Sequence, residues 1–192
     1  MEQDLFYFFK NSINRNLCED YKKEWKLCKS DKEKLINLAM RQQSIPYFAT
    51  AMYEGWGLSV DYLVKEFGDY MNGKCTLHDC DGVNGYSYSM YADYSGYIIL
   101  DTDVSHIIRS DATIGVDEFK APIIYLSNGA DVDIQNDGNN SIIVYMFDES
   151  KVRFPYIDEQ TIVTVFKYSE KAQVTFGECD GRLRVHKKQL KL

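Results

Sequence analysis

Cys75-x-x-His78-x-Cys80 places three metal-ligating side chains within six residues, with Asp79 and Asp81 beside them. Thiolate and imidazole are the ligands zinc prefers, but a structural zinc site needs four and usually draws the fourth from a second paired motif. His106, Cys179 and His186 lie far off in the chain. The stretch Asp79-x-Asp81-Gly82-x-Asn84-Gly85 also has the outline of a calcium loop. An EF-hand wants an oxygen ligand at its fifth position and glycine at its sixth, and Val83 and Asn84 stand there. No metal or other cofactor is expected, and a loop with incidental cysteines is the plain reading.

Covalent or acid–base catalysis finds equally little. The three histidines, His78, His106 and His186, fall in no serine-hydrolase elbow or zinc-hydrolase helix. There is no phosphate loop and no dinucleotide fingerprint. Asp101-x-Asp103 and Asp131-x-Asp133 put carboxylates on one face of a strand. Val132 and Ile134 would then point inward and leave Asp131 and Asp133 in water, whereas paired acid–base work needs one carboxyl in an apolar pocket. The expectation is a protein without a catalytic centre.

Binding features are more visible. The charge of −7 is unevenly placed: −2 over residues 1–91, −9 over 92–149 and +4 over 150–192. In the middle block only Arg109 and Lys120 oppose eleven acidic residues. Asp131, Asp133 and Asp137 on a rigid strand surface are the candidate partner-binding residues, since a fixed acidic face speeds encounter with a basic partner. It would repel nucleic acid itself. A solvated surface explains the same block without function. Trp56, between Gly55 and Gly57, is either an exposed anchor or a helix stop folded into the core. Tyr86, Tyr88, Tyr91, Tyr94 and Tyr97 could stack bases, but no Lys or Arg occurs between Lys74 and Arg109, so packing is the simpler role. Arg182, Arg184, His186, Lys187, Lys188 and Lys191 form a basic end, which could touch an acidic partner or guard an open sheet edge.

These residues must be held by something, and the last third of the chain shows what. Turn-like pairs recur at Asp137-Gly138, Asp148-Glu149, Asp158-Glu159, Ser169-Glu170 and Asp180-Gly181. Apolar-x-apolar cores follow at Ile142/Val144, Val152/Phe154, Val163/Val165 and Val174/Phe176, with only Val185 in the last copy. So short a period predicts stacked rungs, each burying its face against its neighbours. Residues 143–149 match 164–170, and 152–154 match 174–176, so alternate rungs agree best. That predicts a coil of two rungs of 10–11 residues. An antiparallel sandwich or meander with even hairpins would give similar spacing. Further back come Val132/Ile134, Ile123/Tyr125 or Ile124/Leu126, Ile114/Val116, Ile107/Ile108 and Tyr97/Ile99. Pro155 predicts a bend or strand end.

Residues 1–73 read as about four helices. Ser30-Asp31-Lys32-Glu33 is a capping box with Ser30 as N-cap, Pro46 suits a first turn, and Ser59 caps a helix closed by Asn72-Gly73. Residues 74–96 are a joint rich in tyrosine and glycine, and 97–192 form the solenoid. The fold class is therefore α+β: an N-terminal helical bundle and a C-terminal β-solenoid. At 192 residues, 45% hydrophobic, the chain can bury a real core. No apolar run is long enough to span a bilayer, and the N-terminus does not resemble a signal peptide. Five scattered cysteines then predict reduced thiols in a cytoplasm.

The segment Ala51–Gly73, followed by rungs such as Glu149-Ser150-Lys151-Val152-Arg153-Phe154, resembles a group of uncharacterised proteins of gut Bacteroides-type bacteria and their phages and mobile elements. The resemblance spans most of the chain and implies the helical head, the solenoid and a mobile-element setting. It transfers no functional residue. Taken together, the expectation is a cytoplasmic, non-catalytic interaction protein that engages a protein partner or itself, and neither nucleic acid nor membrane. The alternatives are a structural, homo-oligomeric component of a phage particle and an acidic decoy for a nucleic-acid-binding protein.

Overall fold

The computed structural model describes residues 5–14, 18–54, 60–70, 75–76, 90–92, 96–101, 103–109 and 111–188. Short helices come first: α1 (Leu5–Ile13), α2 (Glu19–Cys28), α3 (Lys32–Ala39), α4 (Ile45–Glu54) and α5 (Val60–Phe67). Twelve strands follow among the described residues. They are β1 (Cys75–Thr76), β2 (Met90–Ala92), β3 (Gly96–Leu100), β4 (Ser105–Arg109), β5 (Ala112–Val116) and β6 (Ile123–Leu126), then β7 (Asp131–Asn136), β8 (Ser141–Met146), β9 (Lys151–Ile157), β10 (Ile162–Lys167), β11 (Gln173–Cys179) and β12 (Arg182–Lys187).

From β3 onward the chain alternates between two sheets. Sheet A runs β1-β2-β4-β6-β8-β10-β12, and sheet B runs β3-β5-β7-β9-β11. Every pairing is parallel. A meander would pair its strands antiparallel, so the fold is a β-solenoid, of about five turns. Like strands stack on like: Ile142 lies beside Val163, Val132 beside Val152, and Val152 beside Val174. β1 and β2, inside the segment read as a joint, already belong to sheet A.

Between the sheets runs a dry core. On sheet B one inner row passes through Ile98, Ile114, Ile134 and Phe154, and on sheet A another passes through His106, Ile124, Val144 and Val165. All eight are fully buried. Alternation of side chains across a strand then turns the neighbours outward. This settles the earlier rungs. Ile124/Leu126 face the solenoid core, while Ile123 and Tyr125 face the helices. Ile98 and Leu100 point inward instead of Tyr97/Ile99, and Tyr97 is exposed. The glycine and turn signals around residue 96 are too sparse to set a one-residue register, which is why the sequence reading slipped by one there.

The helices lie on the outer face of sheet A. Phe8 meets Trp25 and Phe48 edge-on at 5.6 and 5.5 Å, and Phe9 stacks on Trp25 at 5.1 Å. The same cluster takes in Met90, Ile107, Tyr125 and Phe147 from the sheet. Tyr53 of α4 packs on Phe147 at 5.1 Å. Gln42 clasps the start of β4 with both ends of its amide: it accepts from the Ser105 N–H at 2.7 Å and donates to the Ser105 carbonyl at 3.1 Å. Sheet A is thus covered on both faces where the helices reach it, which suits near-continuous apolar strands such as His106-Ile107-Ile108.

One helix start departs from expectation. α3 is capped by Asp31, not Ser30: the Asp31 carboxylate accepts from the Lys34 N–H at 3.1 Å. Lys34 then stands at the third helical position, so the start is a single side-chain cap and not a reciprocal box, and Asp31 also forms an ion pair with the Lys34 side chain at 2.8 Å. Ser59 and Asn72-Gly73 lie outside the described residues.

Lysine hydrogen bonds hold four carboxyls below their ordinary values: Lys22 for Glu19, Lys34 for Asp31, Lys32 for Glu66 and Lys171 for Glu149. A lowered folded-state value stabilises the fold above the ordinary values of 3.8 for Asp and 4.5 for Glu, and that contribution is lost as pH falls through the lowered ones. Thermal scans should therefore show a midpoint flat from about pH 7 to 5 and falling below about pH 4. The pairs are solvent-exposed, so the acid-side slope should shrink in added salt.

Candidate interaction surface

Sheet B leaves its outer face to water, and β7 lies mid-stack. Val132 and Ile134 are fully buried, which turns Asp131 and Asp133 outward as the alternation requires. Neither is free. Lys151 of the next coil reaches Asp131 at 2.9 Å, and Arg153 reaches Asp133 at 2.7 Å. Asp131, Asp133 and Arg153, with Gly96, Tyr97, Asp111 and Thr113, line an open trough of about 460 Å³.

Other acids of the −9 block hold the coils together. Asp111 accepts from the Asp131 N–H at 3.0 Å, and Asp103 from the Ala121 N–H at 2.7 Å. Asp148 accepts from the N–H groups of Asn128 and Gly129 at 2.5 and 3.0 Å. Glu149 pairs with Lys171 at 2.6 Å and, outside that block, Glu170 pairs with Lys187 at 3.2 Å. Asp148 also offsets the partly desolvated guanidinium of Arg109, which burial pushes down to about 10, so it stays charged at neutral pH. Asp101 and Asp103 come after β3 ends at Leu100, so they share no strand face; the chain is already turning there.

A different set of acids is stacked at one corner, where each sheet B strand leaves for sheet A. Leu100 pairs with Val116 and Val116 with Asn136, so Asp101, Asp117 and Asp137 occupy equivalent places. Ser141 pairs with Ile162 and Ile157 with Cys179, which carries the column on to Asp158 and Asp180. The Asp117 N–H donates to Leu100 O at 3.1 Å, the Asp137 N–H to Val116 O at 3.3 Å, and the Asp180 N–H to Ile157 O at 3.0 Å. The backbones at successive positions are thus one strand spacing apart, about 4.8 Å. Among the described residues none of the five has an ion-pair partner. Asp158 caps its own turn by accepting from the Gln160 N–H at 2.9 Å. Asp180 accepts from the Tyr156 hydroxyl at 3.3 Å.

The inside of this corner is rigid. Asn140, 2% exposed, donates through its amide to the carbonyls of Asp117 and Lys120 in the preceding coil at 2.6 and 3.4 Å. Asn136 donates to the buried Thr161 hydroxyl of the next coil at 3.1 Å. These side-chain hydrogen bonds tie three coils together behind the aspartates.

Of the sequence candidates, Asp131 and Asp133 share the sheet B face, and Asp137 stands at its edge in the corner column. Trp56 lies outside the described residues, as do His78 and Cys80. His106 is inside the solenoid, whereas His186 is exposed and stacks on Phe166 at 5.2 Å, so these two imidazoles do not converge. Among the described residues no three His, Cys, Asp or Glu side chains are grouped to hold a metal. Asp101, Asp117, Asp158 and Asp180 were missed as a set. The usable signal was an aspartate directly after each sheet B strand, but recognising it requires knowing which strands share a sheet.

No family model, curated protein or solved structure matches the chain. No helix among the described residues is long and apolar enough to cross a membrane.

Proposed function

We propose that this is a non-catalytic interaction protein whose acidic corner, with the adjoining face around Asp131 and Asp133, docks a cationic segment of a protein partner. The observation that carries this is the column Asp101–Asp117–Asp137–Asp158–Asp180. Carboxylates repeated along one edge without ion-pair partners give that edge a negative field, which a lysine- or arginine-bearing partner would meet. Corners tied by Asn136, Asn140 and Thr161 lose little freedom on docking. The same field disfavours nucleic acid.

The finer anatomy belongs to this reading: a helical head over residues 1–73, a joint, and rungs of 10–11 residues, two per coil. Register offsets of 20 to 22 residues between stacked strands from β5 onward support that coil length, whereas the first coils are shorter, at 15 to 18. The setting implied by resemblance is the cytoplasm of a gut Bacteroides-type host carrying a phage or mobile element.

Affinity capture from such a host tests the proposal. Capture should weaken steeply between about 50 and 300 mM salt, because exposed charges are screened over that range. Asp117→Lys with Asp137→Lys should reduce it at least about tenfold, a change of ~1.4 kcal/mol, with the circular dichroism unchanged. Asp131→Lys with Asp133→Lys should reduce it less, since those carboxylates already have partners. Capture indifferent to salt and to both pairs of substitutions would move the site to the helical head around Trp56.

A further inference from the structure

A second column stands at the other corner, where the sheet A strands leave for sheet B. Ile108 pairs with Leu126, Leu126 with Met146 and Met146 with Lys167, so Arg109, Ser127, Phe147 and Tyr168 occupy equivalent places. The N–H groups of Ser127, Phe147 and Tyr168 donate to Ile108 O, Leu126 O and Met146 O at 3.2, 3.0 and 2.9 Å. Ile108, Leu126 and Met146 belong to the solenoid core, whereas Ile107 and Phe147 belong to the helix-side cluster, so this column faces the helices. Phe147 stacks on Tyr168 at 5.3 Å and packs on Tyr53 of α4. The two polar members are unmatched. Arg109 ends β4 half-buried, and its Nε and Nη1 are fully buried without a hydrogen-bond partner. Ser127 is 1% exposed, and its Oγ likewise has none. Arg109 forms no ion pair among the described residues. The field of Asp148 reaches it, but the oxygens of Asp148 already accept from the N–H groups of Asn128, Gly129 and Ser150. Buried polar groups are otherwise almost always hydrogen-bonded, and a guanidinium cannot shed its charge to escape the cost.

We propose that Arg109 and Ser127 form a binding site for a small free carboxylic acid, taken as its monoanion. The three unmatched atoms, Nε, Nη1 and Oγ, can all donate, and the first two carry positive charge. Donors on a charged guanidinium beside a hydroxyl suit the lone pairs of an oxyanion and repel a metal ion. Asp148 decides between oxyanions. Its field opposes a dianion such as hydrogen phosphate twice as strongly as a carboxylate. Phe147, next in the column and 2% exposed, adds an apolar wall that leaves the polar surface of a larger ligand unmatched. Enclosure of Ser127 favours a free acid over the carboxylate of a peptide, which would have to bring its backbone against the corner. The inference uses none of the corner aspartates on which the docking proposal rests, so either can fail alone.

Thermal unfolding of the full chain in sodium acetate, against sodium chloride of equal ionic strength near neutral pH, tests it. A ligand that binds the folded chain raises its midpoint along a saturation curve. Acetate should do so, chloride should not, and hydrogen phosphate should do so less. Arg109→Met keeps the length of the side chain without its donors and should abolish the acetate response. Ser127→Ala should weaken acetate binding about threefold or more, the worth of one hydrogen bond. Because Arg109→Met could rearrange the corner, the wild-type chain supplies a second reading by NMR. Its Arg109 Nε–H resonance, identified by its loss in that variant, should shift with acetate and reach a plateau. N-acetylglycine, which stands in for a peptide terminus, should bind more weakly than acetate. No saturable difference between acetate and chloride, a response that survives Arg109→Met, or an unmoved Arg109 resonance would each overturn the proposal. So would phosphate or N-acetylglycine binding more tightly than acetate.

Discussion

Phe154→Ala should remove about 3–5 kcal/mol of stability, while Phe176→Ala, one coil later in the same row, should cost about 1 kcal/mol or less. The two side chains are register partners in β9 and β11. Phe154 is fully enclosed, so truncation leaves a cavity that stacked strands cannot close, and the lost contacts add to the lost transfer free energy. Phe176 is already 57% in water, so truncation removes little burial. Since whole domains are stable by only about 5–15 kcal/mol, the first variant should shift the urea midpoint strongly. The second should barely move it. Equal effects would mean that the last coil is as enclosed as the one before it.

Gly181→Ala should destabilise the last coil by about 1–3 kcal/mol through a collision with backbone. A Cβ there would lie 2.2 Å from the Asp158 carbonyl oxygen and 2.6 Å from that of Thr161. Neither can move freely, because the Gly181 N–H donates to Ile157 O at 3.1 Å and the Arg182 N–H to Thr161 O at 3.0 Å. The turn from β11 to β12 spans only Asp180-Gly181, whereas the preceding one spans residues 158–161. A methyl group must therefore push β12 away from β10. Trypsin should cut at Arg182, Arg184 and Lys187 markedly faster in the variant, while the helices and earlier coils keep their resistance. Gly129→Ala is the comparison. Its φ of +72° strains any side chain, but no atom lies within 4 Å of the added Cβ, so its cost should be limited to backbone strain and leave β12 protected.

Phe176→Ala and Gly181→Ala both alter the last coil. Neither removes a carboxylate of the corner column, so salt-sensitive capture of a basic partner should survive Phe176→Ala.

What the sequence by itself determined is the rung pattern; that the rungs pair in parallel, as a solenoid and not a meander, came from the structure. The apolar-x-apolar pairs from Ile142 to Phe176 recur too closely to bury their faces except against each other, and the match between residues 143–149 and 164–170 indicates that alternate rungs stack. The outward direction of Asp131 and Asp133 followed from the same alternation. Where the pattern thins the reading slipped: Tyr97/Ile99 was one residue out of register with the true inner pair Ile98/Leu100, because period-two alternation alone cannot say which phase faces the core.

Only the tertiary structure decided which acids are free. Asp103, Asp111 and Asp148 are spent on backbone amides of neighbouring coils, and Asp131 and Asp133 on Lys151 and Arg153, all about 20 residues away in the chain. A sequence counts these charges but cannot pair them, since pairing depends on which coil lies above which. For the same reason five aspartates scattered from 101 to 180 became one column, and two ordinary core residues, Phe176 and Val185, became an exposed end. Burial belongs to the stack and not to the rung, and the last rung has a neighbour on one side only.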